Sequence, residues 1–145
     1  MRDNVLIDTS VWVDFFRGKK PELIELIASV LKSGRAFCTD IIALELLNGA
    51  KGEKELQALY DTFDTVQHVT ADRSTYMSAG KLGYEMARKG HTMGIVDLLI
   101  AQTAIENNLF LITFDEHFDI IAKNSKLQLF KQDPPSSPEV HSSLI

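Results

Sequence analysis

The sequence predicts a doubly wound α/β/α sandwich, an α/β fold with a mainly parallel sheet between two layers of helices. Short apolar runs alternate with longer segments of helical periodicity over most of the chain, and strands joined through helices pair in parallel. The first run, residues 5–7, is wholly apolar, as expected of a buried strand, and it ends abruptly in Asp8. In such sheets, ligands bind at the carboxyl ends of the strands.

The strand pattern occurs in five segments, of which 109–113 is the most apolar and 66–69 is predicted to be an edge strand. Helical spacing occurs in seven segments, and 95–106 is apolar on nearly all sides, which predicts a buried helix. Asp40 and Asp72 are predicted N-caps. The predicted strands are residues 5–7, 36–39, 66–69, 109–113 and 127–130, and the predicted helices are 11–16, 21–33, 41–48, 53–63, 73–89, 95–106 and 115–123.

The chain of 145 residues is predicted to hold one domain, residues 1–131, followed by a flexible tail. The tail, residues 132–145, contains three prolines and several serines, which favour no packed element. The lone Cys38 excludes an internal disulfide and a thiolate zinc site. Because no apolar run is long enough for a membrane span and no signal peptide is recognisable, we expect a cytoplasmic protein.

The formal net charge of −5 argues against a protein that binds nucleic acid through bulk positive charge. It leaves room for a local basic rim around an acidic site. Four basic residues follow the acid-bearing segments and could form this rim, although solvated loop charges explain them equally well. These residues are Arg17, Lys19, Lys20 and Lys51.

Four acids occur in apolar surroundings. Asp8 ends the first strand, and Asp115 follows the strand 109–113 after one further residue. Glu45 and Asp97 are each the only charge in an apolar helical run, and neither has a Lys or Arg one helical turn away. A carboxylate in such surroundings must be paired, hydrogen-bonded, metal-bound or protonated. If the four converge, an all-oxygen ligand set of this kind suits Mg²⁺ or Mn²⁺.

Each acid also has a local explanation. Asp8 could be a turn or N-cap residue, Asp115 could cap the helix that follows it, and Asp97 could stabilise a helix dipole. Glu45 could reach solvent. All four acids together would require several independent coincidences, so a cluster is the better prediction.

The acid-bearing segments, in this order and spacing, resemble the PIN domain, and in particular the small VapC-type toxin ribonucleases. The resemblance covers residues 4–131. The matching segments are Ile7-Asp8-Thr9-Ser10, Ala43-Leu44-Glu45-Leu46, Val96-Asp97-Leu98-Leu99-Ile100-Ala101 and Leu111-Ile112-Thr113-Phe114-Asp115-Glu116-His117-Phe118.

The resemblance implies the same sandwich fold and cleavage of RNA phosphodiesters that depends on Mg²⁺ or Mn²⁺. It implies that the four acids, Asp8, Glu45, Asp97 and Asp115, bind the metal and carry the catalysis. It further implies a homodimer and a cognate antitoxin protein whose tail fills the active-site groove. The hydroxyls that would orient carboxylates or water belong to Thr9, Ser10 and Thr113; Ser10 could equally be an N-cap.

Two positions depart from the family pattern. Phe114 stands where such toxins commonly carry a basic or polar residue, and His117 stands where a second Asp often precedes the final Phe. Both departures concern the role of Asp115. None of the histidines shows metal-ligand spacing, so surface or loop positions are expected for His68, His91, His117 and His141.

Other functions are compatible with parts of the pattern. A phosphatase with Asp8 as nucleophile needs a second Asp two residues later, where Ser10 stands, and a response regulator needs an acid pair that the first strand lacks. A PIN-like protein-interaction module with a degenerate site is the non-enzyme alternative, and retention of all four acids argues against it. The aromatic residues Trp12, Phe15 and Phe16 could stack on bases, but a helical apolar face is more often core or a dimer contact.

Overall fold

A computed structural model describes residues 3–131, so the predicted tail at 132–145 lies outside the described residues. Five strands form one sheet in the order β3-β2-β1-β4-β5, and every strand pair is parallel. The predicted parallel α/β/α architecture is therefore confirmed. The strands are β1 (Val5–Ile7), β2 (Ala36–Thr39), β3 (Gln67–Val69), β4 (Phe110–Ile112) and β5 (Gln128–Leu129).

Seven helices connect the strands. The segments 53–63 and 95–106 were predicted with the bounds observed, and the last helix begins two residues later than predicted. The helices are α1 (Thr9–Arg17), α2 (Pro21–Lys32), α3 (Asp40–Asn48), α4 (Glu53–Phe63), α5 (Arg73–Arg88), α6 (Ile95–Glu106) and α7 (His117–Lys123).

The strand order creates a switch point between β1 and β4. From β1 the chain moves outward through β2 to the edge strand β3, and then returns to β4 on the other side of β1. Since crossovers between parallel strands are right-handed, α1–α4 cover one face of the sheet and α5–α7 the other. The helices that follow β1 and β4 therefore diverge, which opens a crevice at the carboxyl ends of these two strands.

Helix capping differs from the prediction at two positions. The N-cap of α3 is Thr39, whose hydroxyl accepts the Ile42 N–H at 3.3 Å, and the predicted cap, Asp40, is the first helical residue. Ser10 lies within the first turn of α1 and is not its N-cap. The prediction for Asp72 is confirmed, because Asp72 and Thr75 form a reciprocal capping box at the start of α5.

The core lies between β1, β4 and the helices on both faces. All of β1 is inaccessible to solvent, and α6 contributes six buried residues, which confirms its prediction as a buried helix. Trp12 is fully buried and packs against the rings of Phe15, Phe16 and Phe63. Trp12 is thus part of the core and is not free to stack on bases, whereas Phe15 and Phe16 are partly buried against the core and Phe16 lines a cavity with Glu45.

Among residues 3–131, no helix combines the length and the apolar character needed to cross a lipid bilayer. Cys38 is buried in β2, and burial raises the pKa of its thiol to about 12.

Candidate metal centre

Asp8 lies at the end of β1, where the sheet opens at the switch point. Its backbone N–H donates to the Ile112 carbonyl at 3.0 Å, so hydrogen bonding between β1 and β4 continues up to this residue. The side chain is only 5% exposed. Although Asp8 holds the N-cap position of α1, its carboxylate receives its hydrogen bonds from side-chain hydroxyls. The local explanation as a capping residue therefore does not account for it.

Two hydroxyls hold the Asp8 carboxylate by the same oxygen. Ser10 Oγ donates to Asp8 Oδ2 at 2.9 Å, and Thr113 Oγ1 donates to Oδ2 at 2.8 Å. The two hydroxyls are fixed in turn, because Ser10 Oγ accepts the Phe114 N–H at 3.1 Å and Thr113 Oγ1 accepts the Asp115 N–H at 3.0 Å. This network leaves the second oxygen of Asp8 available to a cation, in an orientation set by the protein.

Glu45 projects from α3 and is connected to α1. Thr9 Oγ1 donates to Glu45 Oε1 at 2.6 Å, across 36 positions of sequence. Glu45 is exposed, so the apolar run 41–47 does not bury it as the sequence suggested. The hydrogen bond from Thr9 nevertheless ties this acid to the residue that follows Asp8.

Asp97 lies in the first turn of α6, where the pKa of its carboxyl is raised. Burial raises the pKa of this carboxyl above its ordinary value, and the negative charges of Asp115, Asp8 and Glu45 raise it further. The ring of His117 acts in the opposite direction. Because Coulomb interactions fall off with distance, the other three predicted acids lie near enough to Asp97 to act on its carboxyl.

Asp115 lies between β4 and α7 and is partly exposed. Its Oδ1 accepts the backbone N–H of His117 at 2.9 Å and lies 3.1 Å from the Nδ1 of the same residue. The N-cap position of α7 is held by Glu116, so Asp115 is not the cap, although its carboxylate accepts the N–H of the first helical residue. Of the four predicted acids, Asp97 and Asp115 have ligand atoms within 4.8 Å of one another, and His117 is the third member of this group; Asp8 and Glu45 are not members of it.

These residues fit a hard divalent cation. The Asp8 carboxylate is buried and accepts hydrogen bonds from two hydroxyls. Burial and three negatively charged neighbours raise the pKa of Asp97, so these carboxylates lack a compensating positive charge. Carboxylate oxygens are the ligands that Mg²⁺ and Mn²⁺ prefer, and a bound cation relieves this repulsion.

Comparison with known proteins identifies the family of this chain. The sequence matches the model of the PIN domain over residues 5–124. The chain belongs to the PIN domain family.

Curated relatives of this PIN domain include ribonuclease VapC11 of Mycobacterium tuberculosis, which is 30% identical over 128 residues, covering 86% of this chain and 96% of the relative. Ribonuclease VapC1 of Methanocaldococcus jannaschii is 31% identical over 116 residues, which are 79% of each chain. Among solved structures, VapBC2 of Rickettsia felis bound to a promoter DNA fragment superposes with a TM-score of 0.73 at 23% identity, covering 87% of this chain and 96% of that one. The structural likeness shows the shared fold.

Three of the four predicted basic residues of the PIN domain line two cavities beside the acids. Arg17 and Lys51 line a cavity of about 170 Å³ together with Thr9 and Glu45. A second cavity, of about 350 Å³, is lined by Asp115, Lys20, Lys131 and their neighbours. Lys19 is exposed and lines neither of these cavities.

The charges of this rim are partly neutralised. Asp14 lies 2.7 Å from Lys20 Nζ and 3.5 Å from Arg17 Nη1, so one carboxylate is shared by two of the predicted cations. Lys20 also lies 4.9 Å above the ring of Phe114, a cation–π contact.

Two residues near the acids were not predicted from the sequence. His117 was expected in a surface or loop position; it is exposed, but its ring belongs to the group of ligand atoms with Asp97 and Asp115. Lys131 lines the same cavity as Lys20. Lys131 follows the last predicted strand, and nothing in the sequence there indicated that it would lie beside Lys20. The only available signal for His117 was that it lies two residues after a predicted ligand.

Proposed function

We propose that this PIN domain is an endoribonuclease that hydrolyses RNA phosphodiesters with Mg²⁺ or Mn²⁺ and is the toxin of a toxin–antitoxin pair. One observation carries the proposal: the Thr113 hydroxyl joins Asp8 to Asp115, and ligand atoms of Asp115 and Asp97 lie within 4.8 Å of each other. Burial and the charges of Asp115, Asp8 and Glu45 raise the pKa of Asp97, in agreement with this placement. Four carboxylates from four separate elements repel one another unless a cation shares their site. The curated relatives, which are named VapC ribonucleases, support the choice of RNA as substrate.

Each acid has a distinct proposed role. Asp8 and Asp97 are direct metal ligands, and Asp115 completes the set. Glu45 binds a second ion or positions the attacking water. Ser10 and Thr113 orient Asp8, and Thr9 orients Glu45, through the hydrogen bonds described above. When bound, the cation would activate water for attack on the phosphate and offset the negative charge of the transition state.

The basic residues at the two cavities would bind the RNA backbone. An acidic site repels phosphate, so cations beside it are needed to hold the substrate. Arg17 and Lys51 are proposed to act on the Glu45 side, and Lys20 on the Asp115 side. Lys19 belongs to the same stretch and would contribute at longer range.

Two protein partners belong to the proposal. Solved relatives of the fold include a toxin–antitoxin complex from Klebsiella pneumoniae, which supports an antitoxin partner for this chain. A second copy of the chain is proposed to cover an apolar face of α5 and α6 and so form a homodimer in the cytoplasm. The large exposed side chains of this face are Tyr76, Met77, Tyr84 and Ile95.

The activity is tested by incubating the untagged protein with labelled RNA in Mg²⁺, in Mn²⁺ and in EDTA. Cleavage is expected with either metal, and Asp8→Asn is expected to lower its rate by at least 100-fold, about 3 kcal/mol of transition-state stabilisation. Asp61→Asn is the matched control, because Asp61 is an exposed carboxylate on α4 that hydrogen-bonds only to Gln57 among the described residues. Cleavage that survives EDTA or Asp8→Asn contradicts the proposal.

The toxin role is tested by induced expression of the chain. Growth arrest by the wild type, absence of arrest with Asp8→Asn, and rescue by a small protein encoded beside it are the expected results. Metal binding without RNA cleavage would instead favour the protein-interaction module.

A further inference from the structure

We propose that His117 supplies a nitrogen ligand to the cation held by Asp97 and Asp115, and that this ligand makes the site prefer Mn²⁺ to Mg²⁺. The inference rests on the metal site of the proposed function. It goes beyond that function because it adds a ligand to the four acids and states which of the two metals the site favours.

The first support is the position of the His117 ring. Asp97, Asp115 and His117 each offer one ligand atom, and these atoms lie within 4.8 Å of one another. Ligands of one small divalent cation lie about 2.1 Å from it and so up to about 4.2 Å apart. The three atoms are thus near the spacing that a shared ion requires, and the exposed side chains of Asp115 and His117 have room to close the remaining distance. Within residues 3–131, this is the one group of three such side chains that meets the distance limit.

The second support is the way in which the ring is held. His117 Nδ1 lies 3.1 Å from Asp115 Oδ1, and the same oxygen accepts the backbone N–H of His117 at 2.9 Å. The two atoms are therefore spaced like neighbouring ligands of one six-coordinate cation, which lie about 3 Å apart when each is about 2.1 Å from the metal. A proton on Nε2 would leave Nδ1 with a free lone pair to bind the ion beside Asp115 Oδ1.

The third support is that the ring is accessible. The His117 side chain is 65% exposed and that of Asp115 is 37% exposed, at the start of α7. The ring can therefore turn toward an incoming ion without disturbing the core. Asp97, on the neighbouring helix α6, provides a second carboxylate beside Asp115 and His117.

A simpler explanation of the contact is a surface pair between Asp115 and His117. The chain contains such a pair, since His68 Nε2 lies 2.5 Å from Asp40 Oδ1 and both side chains are exposed. That pair has no third ligand within the distance limit among the described residues. His68 is therefore a matched control: an exposed histidine bound to an aspartate but outside the proposed site.

The chemical consequence concerns metal choice. Mg²⁺ strongly prefers oxygen ligands. Mn²⁺ is a transition metal ion and also binds imidazole nitrogen beside carboxylate oxygen. The wild-type protein should therefore bind Mn²⁺ more tightly than Mg²⁺. His117→Asp supplies an oxygen ligand in place of nitrogen, so the ratio of Mn²⁺ to Mg²⁺ affinity should fall by about tenfold or more.

The test is pulsed electron paramagnetic resonance of Mn²⁺ bound to untagged full-length protein, combined with calorimetric titration of both metals. The wild type and His68→Ala should both show the ¹⁴N modulation of a directly bound imidazole. His117→Asp should retain bound Mn²⁺ but lose this modulation. Circular dichroism verifies that each variant is folded, which is expected because His117 is exposed.

The outcomes separate this inference from the proposed function. Mn²⁺ bound without ¹⁴N modulation in the wild type, or modulation that persists in His117→Asp, overturns the role of His117 and leaves the nuclease proposal intact. Modulation that depends on His117, in a protein that does not cleave RNA, supports the ligand and overturns the nuclease proposal. A wild type that binds neither metal overturns both.

Discussion

Thr113 Oγ1 donates a 2.8 Å hydrogen bond to Asp8 Oδ2, and this contact joins residues 105 positions apart at the ends of two neighbouring strands. The same Thr113 oxygen accepts the Asp115 N–H at 3.0 Å. One hydroxyl therefore sets the orientation of Asp8 and the position of Asp115. In the proposed nuclease it acts on both acids without touching the metal.

Thr113→Val is expected to lower RNA cleavage by about 10- to 100-fold, the usual effect of removing a hydrogen bond that orients a metal ligand. Valine has the same shape, so packing is retained and only the hydroxyl is lost. Calorimetric titration should show weaker Mn²⁺ binding by a similar factor. Thr62→Val is the control, because the Thr62 hydroxyl donates only to the Ala58 carbonyl on its own helix. Equal rates in the two variants would contradict the positioning role.

Asp97→Asn is expected to stabilise the metal-free protein at neutral pH. Burial and three negative neighbours raise the pKa of the folded-state carboxyl, so the native state holds this proton more tightly than the unfolded state. The free energy of unfolding therefore falls as pH rises from the ordinary aspartate pKa through the raised one, and the loss persists above it. Asparagine removes the charge and with it this dependence.

The measurement is thermal unfolding of both proteins in EDTA from about pH 4 to pH 8, the range that spans an ordinary and a raised aspartate pKa. At pH 8 the variant should melt at a higher temperature than the wild type, and this difference in melting temperature should shrink toward pH 4. Added Mn²⁺ should raise the melting temperature of the wild type more than that of the variant. If the wild type were more stable than the variant in EDTA at pH 8, the proposed repulsion between Asp97 and its negatively charged neighbours would be contradicted.

Gly83 and Gly80 on α5 provide a matched pair for the packing of α5 on α6. A Cβ at Gly83 would lie 2.6 Å from Leu98 Cδ1, whereas a Cβ at Gly80 would meet nothing within 4 Å. Alanine favours a helix over glycine by about 1 kcal/mol at either position. We therefore expect Gly80→Ala to be stabilising and Gly83→Ala to be less stable than Gly80→Ala by about 1–3 kcal/mol, the cost of overpacking. Urea denaturation of both variants measures the difference; equal midpoints would show that Leu98 moves freely.

The Cys38 thiol is expected to be nearly inert in the native protein. Burial raises its pKa to about 12, and the neighbouring Asp40 charge acts in the same direction, so little thiolate exists at neutral pH. Alkylation by iodoacetamide should be at least about 100-fold slower in buffer than in denaturant, because it requires local opening. Mass spectrometry of timed samples measures both rates. Rapid labelling of the folded protein would show that β2 is accessible.

The local structure was readable from the sequence where a pattern is long and contiguous. The bounds of α4 and α6 were predicted as observed, since each combines a clear helical run with recognisable ends. Capping was less certain: Thr39 and Asp40 are both suitable residues, and the path of the chain out of β2 decides that Thr39 is the cap. The length of a short strand such as β5 depends on how far it pairs with the adjacent strand β4, and this pairing cannot be read from the sequence of β5.

The four acids could be found from the sequence because each is a single charge in an apolar run or at the end of an apolar strand, a signal that needs only neighbours along the chain. The contact between Thr113 and Asp8, and the place of His117 and Asp115 beside Asp97, depend on how the strands and helices are arranged in space. The return of the chain from β3 to β4 sets Thr113 and Asp115 beside Asp8, and packing sets α6 next to α7. Hydrogen bonds and charge repulsion act over a few ångströms of space, so only the tertiary structure decided which distant residues share a site.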